Sequence, residues 1–478
     1  MNQIVSKVGA PMINRDFLMS EDELEKALFL KKDELYKCFI NEKMSSYKIN
    51  NQTFFDIRDI NEQIKKSKKN YDFTKINLKF PPQPIGLSRG IKDNGYNVID
   101  LFCGAGGSST GFKLAGFNLV GALDNNQKAA ATHKLNYPEC MTVVGDIEKI
   151  NPIEFDTLIE RQEVDVLIGS PPCQTFSTLS QGKIKSLGKV IKEDIRNYYY
   201  KNYLDYVSYF RPKIFLMENV PGFKTKYEGK IFNDFLKYLD ENLKDYTVQY
   251  TVLDAVNYGV PQNRKRLFVC GFLKEIEFDF PKNNNELLED YEEFITVENA
   301  LLDLPNITDD WRVDQLPYSK NDGLTKFQKY MRGNNLWVRN NICRVSNSEA
   351  KTMFDFLSPG QRYIELTDVE KSQITFFNTF KSSVIQTRCR RLPLVNPSWT
   401  VIAHIGMDGY EYIHPTECRT ISVREAARLQ SFPDDFVFVG NMREQYVQIG
   451  NAVPPLLSYA IAKQIRESLD NYTKKKKH

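Results

Sequence analysis

Residues that build metal or disulfide sites are sparse in this 478-residue chain: there are four histidines, and the eight cysteines lie scattered at 38, 103, 140, 173, 270, 343, 389 and 418. No two of them form a CxxC pair, which argues against structural zinc and against a disulfide framework. A cysteine in a special local setting would therefore matter as a thiol. Long apolar runs are missing as well: none approaches the roughly 18 to 20 residues of a membrane-spanning helix, and the opening MNQIVSKVGAPMINRDF has no signal-peptide core. The expectation is a cytoplasmic protein without membrane contact. Nor is there a global charge field. With 64 Lys and Arg against 61 Asp and Glu the formal charge is +3, so a nucleic-acid surface has to be local. What is present is 41% hydrophobic and 26% charged residues, enough apolar matter for two or three packed domains.

The texture of the chain changes several times. In the first ninety residues SEDELEKAL starts on a capping serine, Ser20, with Glu23 three residues on, and predicts a short helix. A second helix is expected from about Lys32 to Ile40, a hairpin over Tyr47 to Ile57 around Asn50-Asn51, and a third helix in DINEQIKKSKK. The order resembles a winged helix-turn-helix of the excisionase type, although Phe29 stands where its turn favours glycine; a helical cap on the main domain explains the pattern equally well. FPPQPIG, Phe80 to Gly86, reads as a linker. From Tyr96 apolar strands alternate with helices (NVIDLFCG, NLVGALD, MTVVGDI, VDVLIGSPP, KIFLMENV), which predicts a mostly parallel sheet covered on both faces. In such sheets the ligand sits beyond the carboxyl ends of the strands. Alternation stops over about 273 to 395, read as a loop-rich insertion, and returns in SVREAARLQSF and PPLLSYAIAKQIRESLDNY; the final lysine run reads as a solvated tail.

The chemistry-bearing residues fall at the predicted strand ends. In DLFCGAGGSSTGF, Gly104, Gly106 and Gly107 let the backbone turn sharply and come close to a ligand, and Asp124 follows twenty residues after Gly104. An acid there suits a ribose hydroxyl pair, so a nucleoside-containing cofactor is implied; a tight turn with no ligand is the plainer alternative. A dinucleotide oxidoreductase is a rival, but Ser109 stands where GxGxxG needs its third glycine. In GSPPCQTFS two prolines set the backbone just before Cys173, aiming a thiol from a strand end. ENV places Glu218 at the neighbouring strand end, and QNRKR supplies Arg264 and Arg266. Such a set fits nucleophilic addition to an electron-poor ring, with the acid donating to a ring nitrogen and the cations holding an oxygen.

DLFCGAGG, GSPPCQTFS, ENV, QNRKR, REAARLQSFPDDF and QIGNAVPP, in this order and spacing from Asp100 to Pro455, resemble the DNA cytosine-5 methyltransferases. The resemblance implies an α/β fold: a Rossmann-like S-adenosylmethionine-dependent methyltransferase sheet with helices on both faces, over 96–272 and 396–470. A target-recognition domain would occupy 273–395, an N-terminal mainly helical extension 1–90 and a basic tail 471–478. It implies Cys173 as the nucleophile, Glu218 as the acid, and Arg264 and Arg266 as partners of the base and the closed loop. Phe102, Gly104, Ala105, Gly106, Asp124, Asn125, Asp146, Ile147 and Pro171 would hold S-adenosyl-L-methionine, with Asn451, Ala452 and Val453 closing the pocket from the far end of the chain. That last set requires the C-terminal helix to fold back beside the first strand. Asp124 departs from the family's usual glutamate, which leaves the ribose hydrogen-bond geometry open. The segment after the nucleophile, with Ser177, Gly182, Lys183, Lys185 and Lys189, would be a mobile loop closing on DNA phosphates. No metal is implied. The expected substrate is double-stranded DNA with a flipped cytosine, the setting a monomeric, nucleoid-associated modification enzyme with a cognate restriction endonuclease. A tRNA cytosine-5 methyltransferase carries the same motifs, and an additional regulatory role for the N-terminal segment stays open. His133, His404, His414, Cys103 and Cys270 read as packing or surface residues.

Overall fold

In the computed structural model the described residues are 18–21, 24, 33, 46–49, 52–56, 95–172, 198–282, 294–307, 316–318, 322–333, 335, 337–374, 388–406 and 409–477. β1 (Leu18–Ser20), β2 (Ser46–Ile49) and β3 (Gln52–Asp56) form a small antiparallel sheet in the order β1-β3-β2. The hairpin expected around Asn50-Asn51 is the β2–β3 pair; β1 has no signal in the sequence pattern. Glu21, Leu24 and Asp33 are helical, and Leu24 is buried. The third helix and the Pro-rich linker expected in this region lie outside the described residues.

The main sheet has seven strands: β4 (Asn97–Leu101), β5 (Asn118–Asp124), β6 (Met141–Val144), β7 (Val166–Gly169), β8 (Ile214–Asn219), β9 (Tyr246–Asp254) and β10 (Lys265–Leu273). Their order is β6-β5-β4-β7-β8-β10-β9. β4 to β8 run parallel, and β10 inserts antiparallel between β8 and β9. Five of these strands sit where the alternating texture placed them. VLIG and IFLMEN are near-continuous apolar runs because helices cover both faces of a parallel sheet. The chain leaves β4 toward β5 and β6 on one side and returns to β7 on the other, so the crevice between β4 and β7 is the topological switch point where such sheets bind ligands.

Helices α1 (Gly107–Leu114), α2 (Gln127–Asn136), α3 (Pro152–Leu158), α4 (Tyr199–Phe210) and α5 (Lys230–Asn242) follow successive strands. The Asn126 side chain caps α2 by accepting from the Lys128 and Ala129 amides, and Asn151 caps α3 with Pro152 at its first turn. Alternate residues of β4 feed two cores: Ile99 and Leu101 pack with Phe155, Tyr203 and Phe235, whereas Val98 packs with Phe112 on the opposite face. The second core also takes in Ile276, Phe278, Val297, Phe327, Met331 and Val338. A separate cluster runs through Ala350, Met353, Phe354, Tyr363, Cys389 and Ile413. The buried apolar residues described over 276–338 thus share the sheet's core, while a separate core of the insertion begins near 350.

Toward the C-terminus come α6 (Val423–Leu429), α7 (Met442–Asn451) and α8 (Pro455–Lys477). The predicted fold-back of the last helix is present. A Cβ on Gly111 would lie 2.4 Å from both the Ser458 Cβ and the Tyr459 nitrogen, so this glycine lets α1 and α8 meet closely, and one on Gly107 would lie 2.2 Å from the Val453 oxygen, so that glycine admits the segment just before α8. Ser458 Oγ donates to the Ser108 carbonyl across 2.9 Å. Around α6 a buried ionic cluster joins distant segments: Arg428 pairs with Asp434 and Asp303, and Arg332 with Asp303. Buried charges must be paired, and these are. Among the described residues no helix is long and apolar enough to cross a membrane.

Candidate active site

The ends of β4, β5, β7 and β8 open onto a cleft of about 450 Å³, within the roughly 300–1,000 Å³ of small-molecule sites. It begins at the glycine-rich turn. Phe102 has φ of 56°, an uncommon conformation for a residue with a side chain, and its ring lies 6.1 Å from that of Tyr199 at the start of α4. Gly104 also has positive φ, and a Cβ there would meet nothing within 4 Å, so its α-carbon faces open space. The turn is tied to β5 by Asp124: Oδ2 accepts from the Gly104 amide and Oδ1 from the Asn126 amide, both at 2.8 Å. Burial raises the Asp124 pKa, and the two amide hydrogen bonds pull it back down. A carboxylate has about four lone-pair sites, so each oxygen keeps capacity for a hydroxyl donor.

Of the residues expected to hold a cofactor, Phe102, Gly104, Ala105, Asp124, Asn125, Asp146, Ile147, Pro171, Asn451, Ala452 and Val453 line this one cleft. Gly106 stands behind it: with φ of 105°, its missing Cβ would sit 2.8 Å from the Tyr137 ring and 3.0 Å from that of His133, so it seats the turn on α2. His133 is buried in a polar chain that sequence reasoning missed. Ser109 Oγ donates to Asp100 at 2.6 Å, His133 Nε2 meets Ser109 Oγ at 2.9 Å, and His133 Nδ1 meets Thr142 Oγ1 at 2.8 Å. With Ser109 donating to the acid, the imidazole must donate through Nε2 and accept at Nδ1, the neutral form. Burial accordingly lowers the His133 pKa to about 3 and raises that of Asp100 to about 7.

Glu218, Arg264 and Arg266 line the same cleft. Arg266 Nε lies 3.0 Å from Glu218 Oε1 and both side chains are largely buried. Burial raises the Glu218 pKa even though Arg266 and Arg264 pull it down, so this carboxyl holds its proton to higher pH than an exposed glutamate. Arg264, grouped with Arg266 in the sequence, points its Nη groups elsewhere: they donate to the carbonyls of Val401, Gly450 and Ala452 at 2.8–3.0 Å. It bolts the segment carrying Asn451–Val453 to the head of β10. Gln262 and Gln430 complete this bolt, the Gln262 amide donating to Gln430 Oε1 and that of Gln430 to the Ile449 and Ala452 carbonyls. Both lie inside quoted motifs, but nothing in one sequence marks a glutamine as a buried cross-link. Pro171 and Pro172 reach the cleft wall, with Ser170 tied to β4 through the Leu101 carbonyl and Pro171 to Asn219 of β8. Cys173 and the loop residues Ser177, Gly182, Lys183, Lys185 and Lys189 lie outside the described residues. Among the described residues no group of three or more His, Cys, Asp or Glu is placed to hold a metal ion.

The family described as C-5 cytosine-specific DNA methylase matches residues 96–467. Type II methyltransferase M.AgeI of Thalassovita gelatinovora is 32% identical over 436 residues, covering 78% of this chain and 99% of that protein. Type II methyltransferase M.DdeI of Desulfomicrobium norvegicum is 34% identical over 394 residues, covering 78% of this chain and 89% of its own. A crystal structure of a prophage-encoded E. coli protein assigned as a DNA modification methyltransferase superposes with a TM-score of 0.61 at 27% identity, covering 79% of this chain and 100% of that one. Matched across more than three quarters of its length by relatives of one activity, and carrying the sheet and strand-end cleft described above, the chain belongs to the C-5 cytosine-specific DNA methylases, as a DNA cytosine-5 methyltransferase.

Proposed function

We propose that the chain methylates a cytosine flipped out of duplex DNA, as the modification enzyme of a restriction-modification pair, through a covalent bond to Cys173. The observation that carries this reading is the Glu218–Arg266 pair, a carboxyl whose pKa burial raises, beside a guanidinium in the same cleft as the glycine-rich turn. Carbon 5 of cytosine is a poor nucleophile. The Cys173 thiolate adds to carbon 6, the ring electrons shift toward carbon 5 and N3, and Glu218 gives its proton to N3 while Arg266 steadies the carboxyl and O2. Once carbon 5 has gained its methyl group, loss of the carbon 5 proton to a base restores the ring double bond and expels the thiolate, and N3 returns its proton to Glu218. A stacked base cannot meet these groups, which requires extrusion from the duplex.

The donor set fits S-adenosylmethionine: Asp124 retains acceptor capacity for ribose hydroxyls, Gly104 leaves room for close approach, and Phe102 and Tyr199 offer ring surface. When bound, that cofactor supplies the electrophilic methyl group that carbon 5 takes up. Asn451–Val453 close the pocket, held there by Arg264 and Gln430. The loop from Ser177 to Lys189 closes over the strand through Lys183, Lys185 and Lys189, and bases are read from the insertion whose core begins near 350.

Duplex DNA carrying 5-fluorocytosine at the target tests the mechanism, because fluorine at carbon 5 cannot leave as a proton. A stable protein–DNA adduct that disappears in Cys173→Ser is the expected result. An adduct that survives the substitution would remove Cys173 as nucleophile.

A further inference from the structure

Three walls of the cleft come from parts of the chain far apart in sequence: the glycine-rich turn, Asp124, and Asn451–Val453. Helix α2 is tied to each of them. At its start, Asn126 caps the helix and gives its own amide to Asp124 Oδ1, while Oδ2 of the same acid holds the Gly104 amide. At its far end, residues four apart share a face, and the face bearing His133 and Tyr137 seats the turn. Both rings lie against Gly106, where an added Cβ would come within 2.8 Å of one and 3.0 Å of the other. Thr110 Oγ1 donates to the Gly106 carbonyl at 2.7 Å and meets the Tyr137 hydroxyl at 2.6 Å. With the Thr110 proton so used, Tyr137 donates that second bond.

The adjacent face of α2 reaches the third wall. Thr132, fully buried, donates to Gln448 Oε1 at 2.7 Å and accepts from the Val439 amide at 2.9 Å. The Gln448 amide donates to the Val439 carbonyl at 2.8 Å, which closes a ring of three hydrogen bonds. Asn136, also buried, accepts from the Val437 amide at 3.0 Å and donates to the Val437 carbonyl at 2.9 Å. Gln448 lines the cleft and lies on α7 three residues before Asn451. These bonds span 301 and 316 positions of sequence. Apolar packing would tolerate sliding of α2 against the C-terminal segment, whereas hydrogen bonds of this kind fix both distance and direction. The polar bonds therefore set a spacing as well as an attachment.

We propose that α2 is the gauge of the methyl-donor pocket: Thr132 and Asn136 on one face, with His133 and Tyr137 on the other, hold the glycine-rich turn and the Asn451–Val453 wall at the separation S-adenosylmethionine needs. They are positioning residues, and none of the four lines the cleft. The proposal rests on that cofactor occupying the cleft. Losing a tie lowers the fraction of molecules whose walls stand in register, and the apparent dissociation constant rises by the inverse of that fraction. Bound cofactor selects the ordered arrangement, so turnover at saturation is preserved.

The test measures S-adenosylmethionine binding, kcat, KM for that cofactor and melting temperature on the full chain. Thr132→Val keeps the side-chain shape and loses the hydroxyl; Tyr137→Phe keeps the ring and loses the donated proton. Each should raise the dissociation constant and KM about tenfold, the effect of one buried hydrogen bond, with kcat at saturating cofactor as in the wild type. Thr132→Ser should restore tight binding. Because one helix joins both walls, the double variant should bind about as weakly as either single one. Tyr258→Phe removes a tyrosine hydrogen bond made at 2.9 Å to the Pro281 carbonyl and to no wall of the pocket; it should lower the melting temperature and leave cofactor binding alone. Unchanged cofactor binding in the folded Thr132 and Tyr137 variants would overturn the proposal. An equal loss in Tyr258→Phe would overturn it too, tracing the effect to stability at large. A loss of about a hundredfold in the double variant would replace the single gauge by two separate ties. Wild-type protein that binds no S-adenosylmethionine would instead overturn the reading beneath it.

Discussion

At the scale of single residues, the site is organised by carboxyl groups kept in unlike environments. Glu218 is raised by burial and opposed by Arg266, so as a general acid it is competent while protonated, and turnover should fall as pH rises through its pKa. Glu218→Gln removes the transferable proton; kcat should drop about 100- to 10,000-fold, and the alkaline limb of the pH profile should flatten. A variant whose pH profile matches the wild type would mean another group supplies the proton. His133 makes a second prediction, about stability. Its folded pKa is about 3 against roughly 6.5 when unfolded, so the unfolded chain binds the extra proton and stability is lost as pH falls from 6.5 toward 3. Asp100 acts with the opposite sign: its folded pKa is about 7, so its contribution is lost as pH rises from about 4 to 7. His133→Gln should therefore shrink the drop in melting temperature between pH 6.5 and 4; an unaltered drop would place the acid sensitivity elsewhere.

At the scale of elements, what the sequence disclosed follows from what local pattern can encode. β7 and β8 were legible because strands buried on both faces write apolar runs, β4, β5 and the exposed edge strand β6 because they too are short apolar segments between helices, and Asp124, Asp146 and Glu218 because they lie at the ends of such segments. β9 was not, since its alternating burial at a sheet edge resembles ordinary surface chain, and the insertion of β10 between β8 and β9 depends on pairing rather than composition. The Asp100–Ser109–His133 chain was hidden for the same reason: its members are 9 and 24 residues apart and meet only after α1 and α2 dock. Gly111 carries the meeting of α1 with α8. Gly111→Val should wedge the helices apart at a cost of about 1–3 kcal/mol, lowering the melting temperature and weakening S-adenosylmethionine binding together, because the Asn451–Val453 wall moves with α8. Cofactor binding that persists unchanged in a destabilised variant would uncouple the wall from the helix contact.

For the whole molecule, the buried ionic cluster does what the sheet cannot, holding the start of the insertion to the returning chain. Arg428 bonds Asp303 and the Ala300 carbonyl on one side and Asp434 on the other. Arg428→Leu leaves two buried carboxylates with one guanidinium fewer, and the expected cost is about 3–5 kcal/mol, read as a lower denaturation midpoint. A midpoint that stays put would show that Arg332 alone balances both acids. The same long-range closure governs how the protein is made. Ser458 bonds Ser108 from 350 positions away, so during translation at about 5–20 residues per second the face of α1 around Gly111 waits roughly 20–70 s for its cover. Phe112 and Ala115, which share a core with Leu456, Leu457 and Ile461, leave the ribosome long before α8, and any product stopped short of Asn451 lacks a closed donor pocket.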